Sequence, residues 1–185
     1  MLNYENVETL ELKDKFVKDF SLAFNKLKKE KFFDEITFLC VGTDRIIGDC
    51  FGPLVGSKLK KMLEEYNISN INIYGDLNKN LSYENIKTIM KKINKYSVII
   101  VIDAALSNKE NIGKIFITNT KTILGKSLDK NKIEVGDISI KAVVAKNHKM
   151  PNYNFKVLQN ISLNVVMTLA DIVAEGITKT IKYIV

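Results

Sequence analysis

At 185 residues, 46% of them hydrophobic, the chain has the size of one globular domain and is long enough to bury a core of its own. Its 28 Lys and Arg against 21 Asp and Glu give a formal charge of +7, but the lysines stand in pairs at helical spacing ("KKE", "LKKM", "MKKI"), the pattern of solvated helix faces. With no basic block interleaved with aromatics and no helix-turn-helix or zinc-finger pattern, direct nucleic-acid binding is not expected.

The opening "MLNYENVETLELKDKF" carries acids where a secretion signal needs a basic and then an apolar stretch. Residues 6–30 place Val7, Leu10, Val17, Phe20, Phe24 and Leu27 at steps of three, four or seven, which predicts an amphipathic helix. "ITFLCVG" (36–42) reads as a short strand closed by glycine, and Pro53 suits the start of a helix running to about Tyr66. Cys40 lies inside that apolar run, where a free thiol behaves as a small hydrophobe, and two cysteines are too few for a disulfide framework, which suits a reducing cytoplasm.

"INIYG" (71–75) predicts a second strand, Ser82 a helix cap for a segment reaching about Asn94, and "SVIIVIDA" (97–104) a strand from the middle of a parallel sheet. Its purest apolar part, Val98 to Ile102, is too short to cross a bilayer, so no membrane association is expected. "KIFITN" (114–119) and "ISIKAVVA" (138–145) add strands, and Ile161, Val165, Leu169, Ile172 and Val173 repeat at helical spacing between about Gln159 and Ile181. Residues 120–137 form the one long irregular stretch, expected as the mobile rim of any crevice. The alternation predicts an open α/β sheet with helices on both faces in a single domain over 1–185, with an N-terminal helix in 1–35 and an α/β core in 36–185.

In such sheets ligands bind beyond the carboxyl ends of the strands, near the point where strand order reverses. Asp49 lies in the loop leaving the first strand and Asp103 closes the "VIIVI" run. If those strands are neighbours or one apart, both carboxyls face one crevice, and burial splits their pKa values into one acid and one base. The competing readings are a turn role for Asp49 and a cap role for Asp103. Gly42, Gly48 and Gly52 permit positive φ and close backbone approach to a substrate. A phosphate loop does not fit: Gly48 comes one position late after Gly42, and Asp49 and Cys50 stand where Lys and Ser or Thr belong. Cys50 with His148 raises a thiol-hydrolase reading without an assignable third group, and His148 with Asp49 and Asp103 a metal reading without distinctive spacing.

The blocks "CVGTDRIIGDCFGPLVGSKL", "VIDAALS", "GKIFITN", "VGDISIKAVV" and "VLQNISLNVVM", in that order from about residue 36 to 177, resemble the YyaC-like sporulation family, a relative of the germination spore protease. The resemblance implies a three-layer α/β/α sandwich with a mostly parallel sheet, of the phosphorylase/hydrolase-like type shared with hydrogenase-maturation peptidases. The spore protease degrades small acid-soluble DNA-binding proteins at germination, and the two aspartates of its proposed mechanism fall on Asp49 of "GDCFGP" and Asp103 of "VIDAALS". The chain departs from the family where Leu124 and Asp129 stand in place of an expected Pro and Gly. The resemblance implies an endopeptidase-like hydrolase of sporulating bacteria, cytoplasmic in the forespore or mother cell, with Asp49 and Asp103 catalytic. Gly42, Thr43, Asp44, Arg45, Gly48 and Gly52 would shape the substrate crevice. The expected partner is a protein or peptide substrate, with small acid-soluble spore proteins the candidates and a homo-oligomer left open. The rival is a non-catalytic sporulation factor that binds a peptide or protein in the same crevice. The hydrogenase-maturation relatives place acids and a histidine on nickel, but no block assigns His148 to that role, so neither a metal nor another cofactor is expected.

Overall fold

The computed structural model describes residues 7–66, 68–124 and 132–184. In chain order it contains α1 (Val7–Glu30), β1 (Glu35–Cys40), a 3-10 turn at Gly48–Cys50 running directly into α2 (Phe51–Glu65), β2 (Ile71–Tyr74) and α3 (Ile86–Met90). Beyond these lie β3 (Ser97–Ser107), β4 (Ile115–Thr118), β5 (Thr122–Leu124), β6 (Ile133–Val135), β7 (Ile138–Lys146), α4 (Pro151–Gln159) and α5 (Leu163–Ile184).

Five strands form one sheet in the order β2-β1-β3-β7-β4. The first four run parallel and β4 runs antiparallel to β7. The chain moves outward from β1 to β2 and then crosses back to place β3 on the other side of β1, so strand order reverses between β1 and β3. Parallel strands covered on both faces need continuous apolar sequence, and "VIIVI" meets that need at the centre. One face of the sheet presents Phe38, Ile100, Ile102 and Ile140 to a layer formed by α1, α2 and α5, whose Phe20, Phe24, Phe51, Leu59 and Val173 complete the main core. α1 and α5 approach closely enough that a Cβ on Gly176 would stand 2.3 Å from the Phe16 ring. The other face presents Leu39 and Val101 to Leu81 and Ile86, and to Leu124 and Val135 of an antiparallel β5–β6 pair.

The architecture is thus the expected α/β fold with a mostly parallel sheet flanked by helices, but among the described residues its second covering layer is thin. The helix expected from Ser82 to Asn94 contracts to the five residues of α3. Ser82 folds into a turn instead, its N–H donating to Asn85 Oδ1 at 2.9 Å and its Oγ accepting from the Glu84 N–H at 3.3 Å. The stretch 120–137, expected to be irregular, carries β5 and β6; Thr122, Leu124 and Val135 are buried there, and residues 125–131, with Asp129, lie outside the described residues. α2 begins at Phe51 rather than at Pro53, because every N–H of a first helical turn lacks an intrahelical partner and proline is tolerated throughout it. α4 begins within "NHKMPNYNF" and runs to Gln159, with Pro151 opening the helix. No single described helix is long and apolar enough to cross a membrane.

Ile100 is fully buried at the centre of the sheet. An unpaired carboxylate there costs several kcal/mol, comparable with the ~5–15 kcal/mol that holds a domain folded. Ile100→Asp is expected to give no soluble, cooperatively melting protein; a melting curve like that of the parent would mean that β3 is not central.

Candidate active site

The site is built where β1 ends and β3 continues. The last β1–β3 register pair is Cys40 with Ile102, and one more hydrogen bond lies beyond it, from the Val41 N–H to the Ile102 carbonyl at 2.8 Å. The chain then turns at Gly42, whose φ of +139° belongs to a region that L side chains rarely adopt. A Cβ on Gly42 would stand 2.0 Å from the main-chain oxygen of Asp49, the same oxygen that accepts the Thr43 N–H at 3.1 Å. The loop is therefore cinched at its base, and Asp49 is held against the end of β1. Gly52 seats α2 in the same way, since a Cβ there would stand 2.0 Å from the Val41 carbonyl oxygen.

This revises the reason for the glycines. Positive φ occurs at Gly42 and not at Gly48 or Gly52. All three are buried, and a Cβ on Gly48 would meet Leu158 of α4 at 2.5 Å. They are small so that β1, the turn, α2 and α4 can close on one another. Their N–H groups are partly consumed as well: Gly42 donates to the Leu81 carbonyl at 2.8 Å and Thr43 to Asp49, so neither is left as a donor toward a substrate carbonyl.

Asp103 stands within its strand rather than at its end, because β3 runs on to Ser107 in register with β7. It is the first β3 residue with no β1 partner. By strand alternation it shares a face with Val101, the face covered by the thin layer. Protein crowds the carboxyl while part of the residue still meets solvent, as at the floor of a crevice. Burial, reinforced by the charge of Asp49, pushes Asp103 up from the ordinary 3.8 to about 7, against the opposing pull of Lys141 and the Ala104 N–H. Burial also raises Asp49, with the Thr43 N–H opposing. The 3-10 turn that carries Asp49 packs on β3, and the charge of Asp49 acts on the Asp103 carboxyl.

The loop residues divide. Asp44 and Arg45 are exposed at the rim. Asn80 Nδ2 donates to Asp44 Oδ1 at 2.7 Å and to Thr43 Oγ1 at 3.3 Å, and the Arg45 N–H donates to the same hydroxyl at 3.3 Å. The Asn80 bond holds the Asp44 carboxyl below its usual range, so the rim carries a fixed anion. Asn80 Oδ1 is buried without a hydrogen-bond partner. Cys50 is buried, and burial together with the charges of Asp44 and Asp49 raises its thiol, the reverse of what a thiolate nucleophile needs. His148 stacks edge-on against Tyr153 at 4.5 Å, and its main chain is bound by the Asn154 side chain. Among the described residues no three His, Cys, Asp or Glu side chains gather as a metal site, so the two acids and His148 do not form the nickel-type set.

Lys141 and Asn80 belong to the site and were not found by sequence reasoning. Lys141 had a signal: it is the one charge inside the apolar run "ISIKAVVA". Asn80 had none, lying in a polar turn and joining the site only because Leu81 bridges to Val41.

The elevated Asp103 has a consequence for folding. A carboxyl held near 7 in the native state and near 3.8 when unfolded binds more protons when folded, so its favourable contribution is complete below about pH 4 and is lost as pH rises through 7. At about 1.4 kcal/mol per unit, the loss is on the order of 4 kcal/mol. Asp103→Asn is expected to melt above the parent at pH 8, with the advantage vanishing near pH 4; parallel stability profiles for the two proteins would show that the carboxyl is not penalised by the fold.

A family model described as "Protein of unknown function (DUF1256)" matches residues 7–176. YyaC of Bacillus subtilis (strain 168), an uncharacterised protein, is 35% identical over 148 residues, which span 78% of this chain and 69% of that one. Among solved structures, the NiFe hydrogenase maturation protease HycI from Thermococcus kodakarensis KOD1 superposes with a TM-score of 0.53 at 17% identity, covering 80% of this chain and 92% of that chain. The maturation protease HybD from Thermococcus kodakarensis gives a TM-score of 0.43 at 16% identity, covering 80% and 99%. The likeness to HycI is one of fold: this sheet and its helices follow a peptidase-type architecture. The resemblance carried by the ordered blocks holds at the level of family, and it extends back into α1: the chain belongs to the DUF1256 family together with YyaC.

Proposed function

We propose that the protein is a peptidase-like hydrolase in which Asp49 and Asp103 share one proton in the crevice where β1 and β3 part. The observation that carries this reading is the Asp103 carboxyl, raised to about 7 by burial and by the charge of Asp49. A lone structural carboxyl gains nothing from such an environment, whereas a general acid needs a pKa near its working pH. Asp103, held near 7, is the acid, and Asp49 is the base. Asp49 takes a proton from water as the water oxygen bonds to the peptide carbonyl carbon, Asp103 gives its proton to the leaving nitrogen, and the C–N bond breaks. Return of the proton from Asp49 to Asp103 resets the pair.

The peptidase-type fold and the coincidence of these two positions with the aspartates of the germination spore protease support the reading. The same resemblance makes small acid-soluble spore proteins the first substrates to offer and sporulating cells the setting, and the two free thiols suit a reducing cytoplasm. One observation favours the rival, a peptide-binding factor without catalysis: the Gly42 and Thr43 N–H groups, which an oxyanion would use, are engaged within the protein.

The test is cleavage of a purified small acid-soluble spore protein, monitored by mass spectrometry. The parent is expected to cleave it, Asp103→Asn and Asp49→Asn to lose at least about 100-fold in rate while remaining folded, and Cys50→Ser and His148→Ala to retain most activity. Loss of activity in Cys50→Ser with retention in Asp103→Asn would transfer the chemistry to the thiol. A parent that binds such proteins or peptides without cutting any would establish the binding factor.

A further inference from the structure

Lys141 is an anomaly in its strand. The residues around it on β7 are apolar or small, and lysine is a poor strand former that loses hydration when half buried. It is half-buried, and in the parallel β3–β7 pairing it is the register partner of Asp103. Partners on adjacent parallel strands stand about 5 Å apart and point to the same face, so the Lys141 stem rises beside the Asp103 carboxyl on the thinly covered face. On its other side the register partner is Phe116 of the edge strand β4, which is half-exposed and offers the stem an apolar wall but no counter-charge. Lys141 takes part in none of the close ion pairs among the described residues, which join Lys13, Lys15, Lys31, Lys58 and Lys60 to their acids. Its ammonium therefore acts on the crevice without being neutralised by a bonded partner.

We propose that Lys141 is the positioning charge of the site, setting how firmly Asp103 holds the proton that the two aspartates share. The charged groups that act on Asp103 are Asp49, from the turn before α2, and Lys141, from β7, and they act in opposite directions. Asp49 disfavours a second negative charge and locks the proton on; Lys141 favours the carboxylate and loosens it. An acid that never releases its proton cannot complete a turnover, and one that releases it too early is ionised before substrate arrives, so the two charges together hold Asp103 at the point where it donates near neutrality. The bland reading of the same residue is a lysine that covers apolar surface with its stem and keeps its head in water. The two readings part over the charge alone, because methionine keeps the stem.

The experiment is a carboxyl carbon-13 NMR titration of Asp103 in the parent and in Lys141→Met, Lys141→Arg and Asp49→Asn. Lys141→Met is expected to raise the Asp103 midpoint by at least about half a unit, Lys141→Arg to return it to within a few tenths of the parent value, and Asp49→Asn to lower it. A midpoint in Lys141→Met within a few tenths of the parent, or equal displacements in the Met and Arg variants, overturns the proposal. Should Lys141→Met fail to fold, Lys141→Gln removes the same charge and is read in the same way. The inference deepens the two-carboxylate reading and is separable from it. A displaced midpoint in a protein that cleaves nothing leaves Lys141 in its role and removes the hydrolase, whereas cleavage with an unmoved midpoint does the reverse.

Discussion

Everything distinctive in this molecule depends on β1 stopping before β3 does. From Ile100 to Ile102, β3 has parallel neighbours on both sides, and these residues are fully buried in the sheet and core. One residue later the neighbour on one side is gone, and what replaces it is a loop forced back on itself by the Gly42 turn and by the contact of Gly52 with Val41. The packing demand that keeps those positions glycine is also what delivers Asp49 to Asp103. Placement of the acids is thus a by-product of closing β1 onto α2, and a side chain at either glycine would disturb both at once.

A second acid at the same edge of the sheet shows what a structural carboxyl looks like here. Asp76 comes just after β2 and is more deeply buried than either site acid by surface area, at 6% exposed. Burial pushes its carboxyl up too, yet the balance falls below the ordinary value, because Lys60 bonds one oxygen and the Asn78 and Lys79 N–H groups reach the other at 2.7 Å each. Both oxygens that burial strips of water are given donors, three in all, and they tie the turn together. Asp103 has burial and a like charge nearby, a single backbone donor and a lysine that forms no close ion pair with it. Burial alone does not distinguish a functional acid from a structural one; the lack of compensation does.

The sequence showed most of the framework, because strong periodicity and long apolar runs leave few alternatives: α1, β1, β2, β3, β7 and α5 all lie close to where the pattern placed them. What it hid was set by tertiary contacts. α3 ends at Met90 because turn bonds from the Lys92 N–H to the Ile89 carbonyl at 2.9 Å and from the Ile93 N–H to the Met90 carbonyl at 3.4 Å take over there, before the chain turns at Asn94 into β3. α4 is only nine residues long, too short for an apolar repeat to declare it, and its Leu158 packs on Gly48. β5 and β6 are three residues each, too short for alternation to declare them, and Thr122 offsets the cost of its burial through a 2.7 Å hydrogen bond to Ser139. Within the site the acids were legible as polar residues beside an apolar run and a glycine loop. Lys141 was visible as an irregularity, but its partner depended on β7 lying next to β3, which strand spacing along the chain does not determine.

Among the described residues the two faces of the sheet are covered unequally. On the side of α1, α2 and α5, long helices carry the core past the end of β1, so that Ala142 and Val144 of β7 remain buried beyond the level of Ile102. On the other side, among the described residues, α3 and the β5–β6 pair cover Leu39 and Val101, and Val143 is buried farther along β7, while Asp103 and Lys141 retain contact with solvent. A full helix in place of α3 would have enclosed Asp103 and excluded a substrate; no layer at all would have left the carboxyl hydrated, with an ordinary pKa and no tendency to hold a proton near neutrality. A short helix and a small hairpin give the intermediate case, in which the acid is dry enough to be shifted and open enough to be reached. The proton affinity of Asp103 is therefore set by burial in the tertiary fold and by the charges of Asp49 and Lys141, which reach it from other elements.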